Sequence, residues 1–155
     1  MKTATLTSQQ DYRSSIVANV TAEEAYEKIA RINEWWAMNF EGSARNTDDT
    51  FTIHFGDTRV DFKITEAIPG KKSNLYVTDC WLPWLNDKTE WTGTEVVFEL
   101  SQEGDSTKID VTHVGLTPDI ECYNGCKQGW DHFIKLSLLK FLNEGQGMPV
   151  DKGRS

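Results

Sequence analysis

The sequence predicts an α+β fold in which a curved antiparallel β-sheet wraps a long C-terminal α-helix, with two short helices after the first strand. Three observations carry that expectation. A hydrophobic period of two recurs from Phe51 to His113, a helix-starting signal follows one β-branched stretch near the N-terminus, and the segment CKQGWDHFIKLSLLKFL (Cys126 to Leu142) is apolar over more than a narrow stripe.

YRSSIVANV (Tyr12 to Val20) is β-branched and bounded by turn-prone residues, which predicts the first strand. Thr21 and Glu24 then form a T-x-x-E capping box, whose hydroxyl and carboxylate satisfy amide groups that the first turn leaves unpaired, and this starts a helix over Ala22 to Arg31. A second short helix spans Asn33 to Ala37. Its Trp35 and Trp36 point about 100° apart, so both are buried only where elements meet at a corner.

From Phe51 the period is two. Phe51, Ile53 and Phe55 alternate with Thr52 and His54, and Val60, Phe62 and Ile64 alternate with Arg59, Asp61 and Lys63. IPGKKSN turns the chain into a less clearly sided strand from Leu75 to Trp81. Val96, Phe98 and Leu100 form the inward set of the next strand, SQEGDSTK turns the chain, and Ile109, Val111 and His113 complete the meander. The last helix runs from Tyr123 to Asn143. A helix of roughly 18 residues is about 27 Å long and a strand of about eight residues about 26 Å, so the helix can lie across a sheet that curls around it.

The chain has 155 residues, which predicts one domain over 1–155 with loose tails at about 1–10 and 146–155. Hydrophobic residues make up 38% and charged residues 26%, the composition of a globular protein. A net charge of −8 has the wrong sign for recruiting phosphates, which excludes nucleic acid as a partner class. No run approaches the roughly 18 apolar residues of a membrane span and no signal-peptide h-region opens the chain, so the expected location is cytoplasmic, without membrane insertion. Cys80, Cys122 and Cys126 are too few for a disulfide framework and read as small, partly buried residues.

On the last helix, Trp130, Phe133, Ile134, Ser137, Leu138, Phe141 and Leu142 share one broad side, with Gln128, His132, Lys135 and Asn143 opposite; Leu136 and Leu139 break the pattern. Such a face can seal a solid core or also line a cavity. His113 points inward by the alternation of its strand, where it is either a satisfied core residue or, beside Tyr76, Thr78 and Ser137, a group that orients a ligand's polar atom. No acidic residue at a telling spacing supports a Ser-His-Asp triad or a carboxylate pair. Cys122, Cys126 and His132 lack a fourth ligand and a knuckle spacing, so no metal is expected; no P-loop or dinucleotide fingerprint is present, and no cofactor is expected. Trp81, Trp84 and Trp91 sit on a connection kept out of regular sheet by Pro83, where they roof the core or form a lid.

THVGL (Thr112 to Leu116) and ECYNGCKQGWDHFIKLSLLKFLNEGQGMP (Glu121 to Pro149) give the sequence a resemblance to the SRPBCC or START-like helix-grip superfamily, whose fold is also that of birch-pollen allergens. More narrowly it resembles stand-alone bacterial proteins similar to the C-terminal domain of the activator of the ninety-kilodalton heat-shock protein ATPase. Glu121, Cys122, Tyr123, Cys126, Trp130, Ser137, Leu138, Gly145, Gly147 and Pro149 carry the likeness. It implies a sheet gripping the last helix, two small helices closing one end, and a hydrophobic cavity between helix and sheet. The residues it would place around that cavity are Trp36, Phe62, Tyr76, Thr78, Phe98, Val111, His113, Trp130, Phe133 and Ser137.

Three functions follow as expectations. The first is non-catalytic binding of a small hydrophobic molecule, aromatic or lipid-like. The second is a protein-interaction module related to chaperone ATPase activation or stress response, with a chaperone or other protein as partner. The third is a polyketide cyclase-like enzyme using His113 and Tyr76 as acid–base groups, which requires the two side chains to converge.

Overall fold

The computed structural model describes residues 11–118 and 120–149. Strand β1 (Tyr12–Ala18) buries Tyr12, Ser14, Ile16 and Ala18 and exposes the residues between them. The chain then leaves the sheet for helix α1 (Ala22–Ile29), capped by the Thr21 hydroxyl, which accepts from the Glu24 amide at 3.1 Å, and for the single-turn helix α2 (Ile32–Trp35). Both helices are shorter than the sequence pattern suggests.

A meander follows: β2 (Phe40–Gly42), β3 (Thr50–Phe55), β4 (Thr58–Ile68), β5 (Lys72–Trp81), β6 (Glu95–Glu103) and β7 (Ser106–Val114). All pairings are antiparallel, and β1 returns to pair with β7, giving the order β1-β7-β6-β5-β4-β3-β2. Strand β2 has no counterpart in the sequence reading. It depends on a close approach at Gly42, where φ is +112° and a Cβ would lie 2.3 Å from the Thr50 carbonyl oxygen. Two register shifts between β4 and β5, at Asp61/Phe62 and Ile64/Glu66, bend the sheet so that its inner face becomes concave.

The C-terminal helix lies in that concavity. It comprises α3 (Tyr123–Trp130), a wider π-helical stretch (Asp131–Leu138) and α4 (Leu139–Glu144). In the wide stretch the Leu139 amide reaches back five residues to the Ile134 carbonyl. Trp130, Ile134, Ser137, Leu138, Phe141 and Leu142 are buried from this helix, facing Phe62, Ile64, Val77, Val96, Phe98, Ile109 and Val111 from the sheet. Each large side chain so buried contributes roughly 1.5–3 kcal/mol. Tyr12 ties the edge strand to the helix by donating from its hydroxyl to Asp131 Oδ1 at 2.7 Å; burial first, and the nearby carboxylate second, push its phenol pKa upward.

The chain beyond the helix is not loose as far as it is described. The Ser137 hydroxyl donates to the Trp35 carbonyl at 2.6 Å and accepts from the Met148 amide at 2.7 Å. Gly147 fits because it has no side chain: a Cβ there would lie 2.5 Å from the Glu34 carbonyl oxygen. The expected tail at 1–10, and residues 150–155 of the expected tail at 146–155, lie outside the described residues.

Candidate functional site

At one end of the helix–sheet interface the packing gives way to an open cavity of about 490 Å³. Trp36 closes it from behind α2. Phe55, Asp57 and Thr58 come from the β3–β4 turn, and Pro83, Trp84 and Trp91 from the loop after β5. Gly125, Cys126, Gly129 and Trp130 come from α3, and Phe133 from the start of the π-helical stretch. The wall is a continuous run of rings, with centroid separations of 6.3 Å for Trp91–Trp130, 4.9 Å for Trp130–Trp36, 6.5 Å for Trp36–Phe55 and 6.3 Å for Phe55–Phe133.

The loop over the cavity is held by carboxylates. Glu121 accepts from the backbone amides of Asn86 and Asp87, and Glu90 accepts in return from the amides of Glu121 and Cys122 at 2.9 and 3.0 Å. Glu90 thereby occupies the positive end of α3. The Trp91 indole donates to Cys122 Sγ at 3.2 Å, and Cys122 is disulfide-bonded to Cys126, with Cα atoms 5.6 Å apart across one helical turn. This corrects the expectation of three unlinked cysteines; Cys80 alone stays a buried thiol. Across the mouth, the exposed Trp84 donates from its indole to the Thr58 hydroxyl at 3.0 Å. Trp84 and Trp91 of that connection therefore line the cavity rather than only roofing the core.

His113 sits behind the wall, fully buried. The Trp130 indole N–H donates to its Nδ1 at 3.0 Å, and because an indole can only donate, Nδ1 is the unprotonated nitrogen. Nε2–H then donates to the Thr94 hydroxyl at 2.9 Å, which in turn donates to the Trp91 carbonyl at 2.7 Å. Burial drives the imidazole pKa down to about 3, so it is neutral at ordinary pH.

No protein-family model matches the sequence, and no curated protein does. Solved structures do match. The solution structure of the Aha1 dimer from Colwellia psychrerythraea superposes with a TM-score of 0.73 at 24% identity, covering 88% of this chain and 98% of that one. The fold is the helix grip. DynU16, a protein of the dynemicin biosynthetic locus, matches at TM-score 0.68 and 16% identity over 87% of this chain; the match spans 48% of DynU16. CalU16 from Micromonospora echinospora matches at 0.62 and 17% identity, over 82% of this chain and 73% of that one.

Within this helix grip, the residues singled out in the sequence separate into three groups. Trp36, Trp130 and Phe133 face the cavity together. Phe62, Phe98, Val111, His113 and Ser137 are buried in filled core. Phe62 packs on Trp36 and Phe98 on Trp35, His113 is separated from the cavity by the Trp130 ring, and Ser137 is committed to Trp35 and Met148. Tyr76 and Thr78 lie on the opposite, outer face of the sheet: they alternate with the buried Leu75 and Val77, and Tyr76 pairs with Glu95 while His113 pairs with Val96. His113 and Tyr76 thus do not converge, which removes that acid–base pair.

The residues that sequence reasoning missed are Phe55, Asp57, Thr58, Gly125 and Gly129. Two of them carried a signal. Glycine costs about 1 kcal/mol relative to alanine in a helix, yet Gly125 and Gly129 lie four apart on one face of α3. Neither makes a close approach, for a Cβ at either position meets nothing within 4 Å. Among the described residues no cluster of His, Cys, Asp and Glu could hold a metal ion, and no helix is long and apolar enough to cross a membrane.

Proposed function

We propose that this protein binds a small, largely apolar and aromatic molecule in the cavity between α3, the β3–β4 turn and the loop after β5, without catalysing a reaction on it. The observation that carries the reading is the pair Gly125 and Gly129, helix-weakening residues whose missing side chains serve no packing and leave space under the aromatic wall. The filled interior behind Trp36 and Trp130 supports placing the ligand here rather than along the length of the helix.

Native mass spectrometry of freshly purified protein tests this against the Gly129→Leu variant. The side chain added at position 129 enters open space, so the fold survives and the cavity is filled. The expected result is a co-purifying small-molecule adduct on the parent protein that is lost from the variant. Four of the six tryptophans line the cavity, so quenching of intrinsic fluorescence provides a second readout. An adduct retained by Gly129→Leu would sink the assignment. The second reading, docking of a chaperone or another protein, draws on the exposure of Trp84 (55%) at the mouth and of Trp81 (45%) at the end of β5, and on the likeness to Aha1. Under it the same spectra show no small-molecule adduct on either protein.

A further inference from the structure

We propose that the ligand of this cavity is a cation, an apolar molecule carrying an ammonium or quaternary ammonium head. This step rests on the binding reading above and names its substrate class. Six aromatic rings line the cavity, Trp36, Phe55, Trp84, Trp91, Trp130 and Phe133, and each presents a face or edge of an electron-rich π-system. Stacked against such walls, a diffuse positive charge is attracted by the ring quadrupoles, and the attraction grows where water is excluded. Trp36, Trp91 and Trp130 are nearly fully buried, so the inner wall presents little surface to solvent.

The charges at the site point the same way. Asp57 is the one ionisable carboxylate among the described residues that line the cavity, and no lysine, arginine or histidine joins it. Its side chain has no hydrogen-bond or ion-pair partner among the described residues, so its charge is available at the mouth. The feature that would favour an anion is the positive end of α3, since Gly125 and Cys126 belong to its first turn. That end is already occupied by the Glu90 carboxylate, which accepts from the Glu121 and Cys122 amides. A fatty-acid or phenol-carboxylate head would therefore meet the Asp57 carboxylate with no counter-charge among the lining residues, whereas a cation meets it favourably. The net charge of −8 adds a field of the same sign at longer range.

The test uses three probes of similar size titrated into the whole protein and followed by tryptophan fluorescence: benzyltrimethylammonium, its neutral isostere neopentylbenzene, and phenylacetate. Benzyltrimethylammonium is expected to bind about tenfold tighter than phenylacetate and more tightly than neopentylbenzene. Asp57→Asn, an exposed substitution that leaves the fold intact, is expected to narrow the cation-to-anion ratio by about threefold or more, and added salt to narrow it in the parent protein. If the neutral isostere or phenylacetate binds as well as the cation, the charge assignment is overturned and the cavity reading stands. If none of the three binds, both are overturned. A cation preference untouched by Asp57→Asn overturns the role of that carboxylate.

Discussion

The two halves of the C-terminal helix meet the same curved sheet in opposite ways. Toward its end, Ile134, Leu138, Phe141 and Leu142 interlock with the concave face and leave no room. Toward its start, Gly125 and Gly129 hold back from the opposing aromatic rings, and a cavity of about 490 Å³ remains. One helix thus serves as keystone at one end and as a cavity floor at the other. The difference goes with side-chain volume and with the change from α-helical to wider π-helical winding at Asp131.

The largest expected effect comes from breaking the filled half. Leu138 is fully buried, and Leu138→Ala would leave a void that the surrounding rings cannot collapse into, costing about 3–4 kcal/mol. Phe133→Ala, at the open half, removes a larger side chain but one that is only partly buried at the cavity, and should cost about half as much or less. Urea denaturation of both variants checks the ordering. Equal losses would mean that the open end is as tightly packed as the closed one.

His113 stands at the border between the halves and gives a pH-dependent version of the same comparison. Its ordinary pKa of 6.5 falls to about 3 in the folded protein because burial penalises the charged ring. Above about pH 6.5 the ring is neutral in both folded and unfolded chains and contributes no pH dependence. Below that, the unfolded chain takes up a proton that the folded one refuses, so stability falls by about 1.4 kcal/mol per pH unit until roughly pH 3. Between pH 6.5 and 5 the loss is about 2 kcal/mol. His113→Gln keeps a polar group in place without titrating, and the difference in slope between it and the parent isolates the imidazole, because contributions from surface carboxylates are common to both. Denaturant midpoints across this range check it; parallel slopes would refute the burial argument. Protonation also takes away the lone pair that receives the Trp130 indole, so acid acts on the cavity wall as well as on the core.

Much of this was legible from the sequence where local chemistry decides. Alternation placed Phe51, Val60, Phe62, Val96, Phe98, Val111 and His113 on the buried face, and the Thr21–Glu24 spacing marked the start of α1 within a residue. Strand β2 was not legible, because a three-residue strand with one half-buried and two exposed residues has no period and exists through its pairing with β3. The candidate site was legible only in part. Periodicity says which side chains point inward, not whether the space they point into is filled. The sequence leaves His113 open between a satisfied core residue and, beside Ser137, a group that orients a ligand; the partners Trp130, Thr94, Trp35 and Met148, all on other elements, commit both side chains to the core. Tyr76 and Thr78 failed for a simpler reason: the mixed composition of β5 left its facing ambiguous, and the register with β6 turned both outward.

The smallest expected effect sharpens the contrast through glycine alone. Gly129→Ala adds a Cβ that meets nothing within 4 Å and removes the conformational freedom that glycine gives the unfolded chain, so it should stabilise the protein by about 0.5–1 kcal/mol. Gly147→Ala makes the same chemical change where the Cβ would press on the Glu34 carbonyl, and should destabilise. A matched pair of thermal melts reads the sign of each. A helix that gains stability when its glycine is filled has been holding that space at a cost, and among the described residues that space adjoins the cavity lined by Trp91 and Trp130. A Gly129→Ala protein that melts earlier than its parent would mean that the glycine is there for packing after all, and the argument for a ligand would lose its foundation.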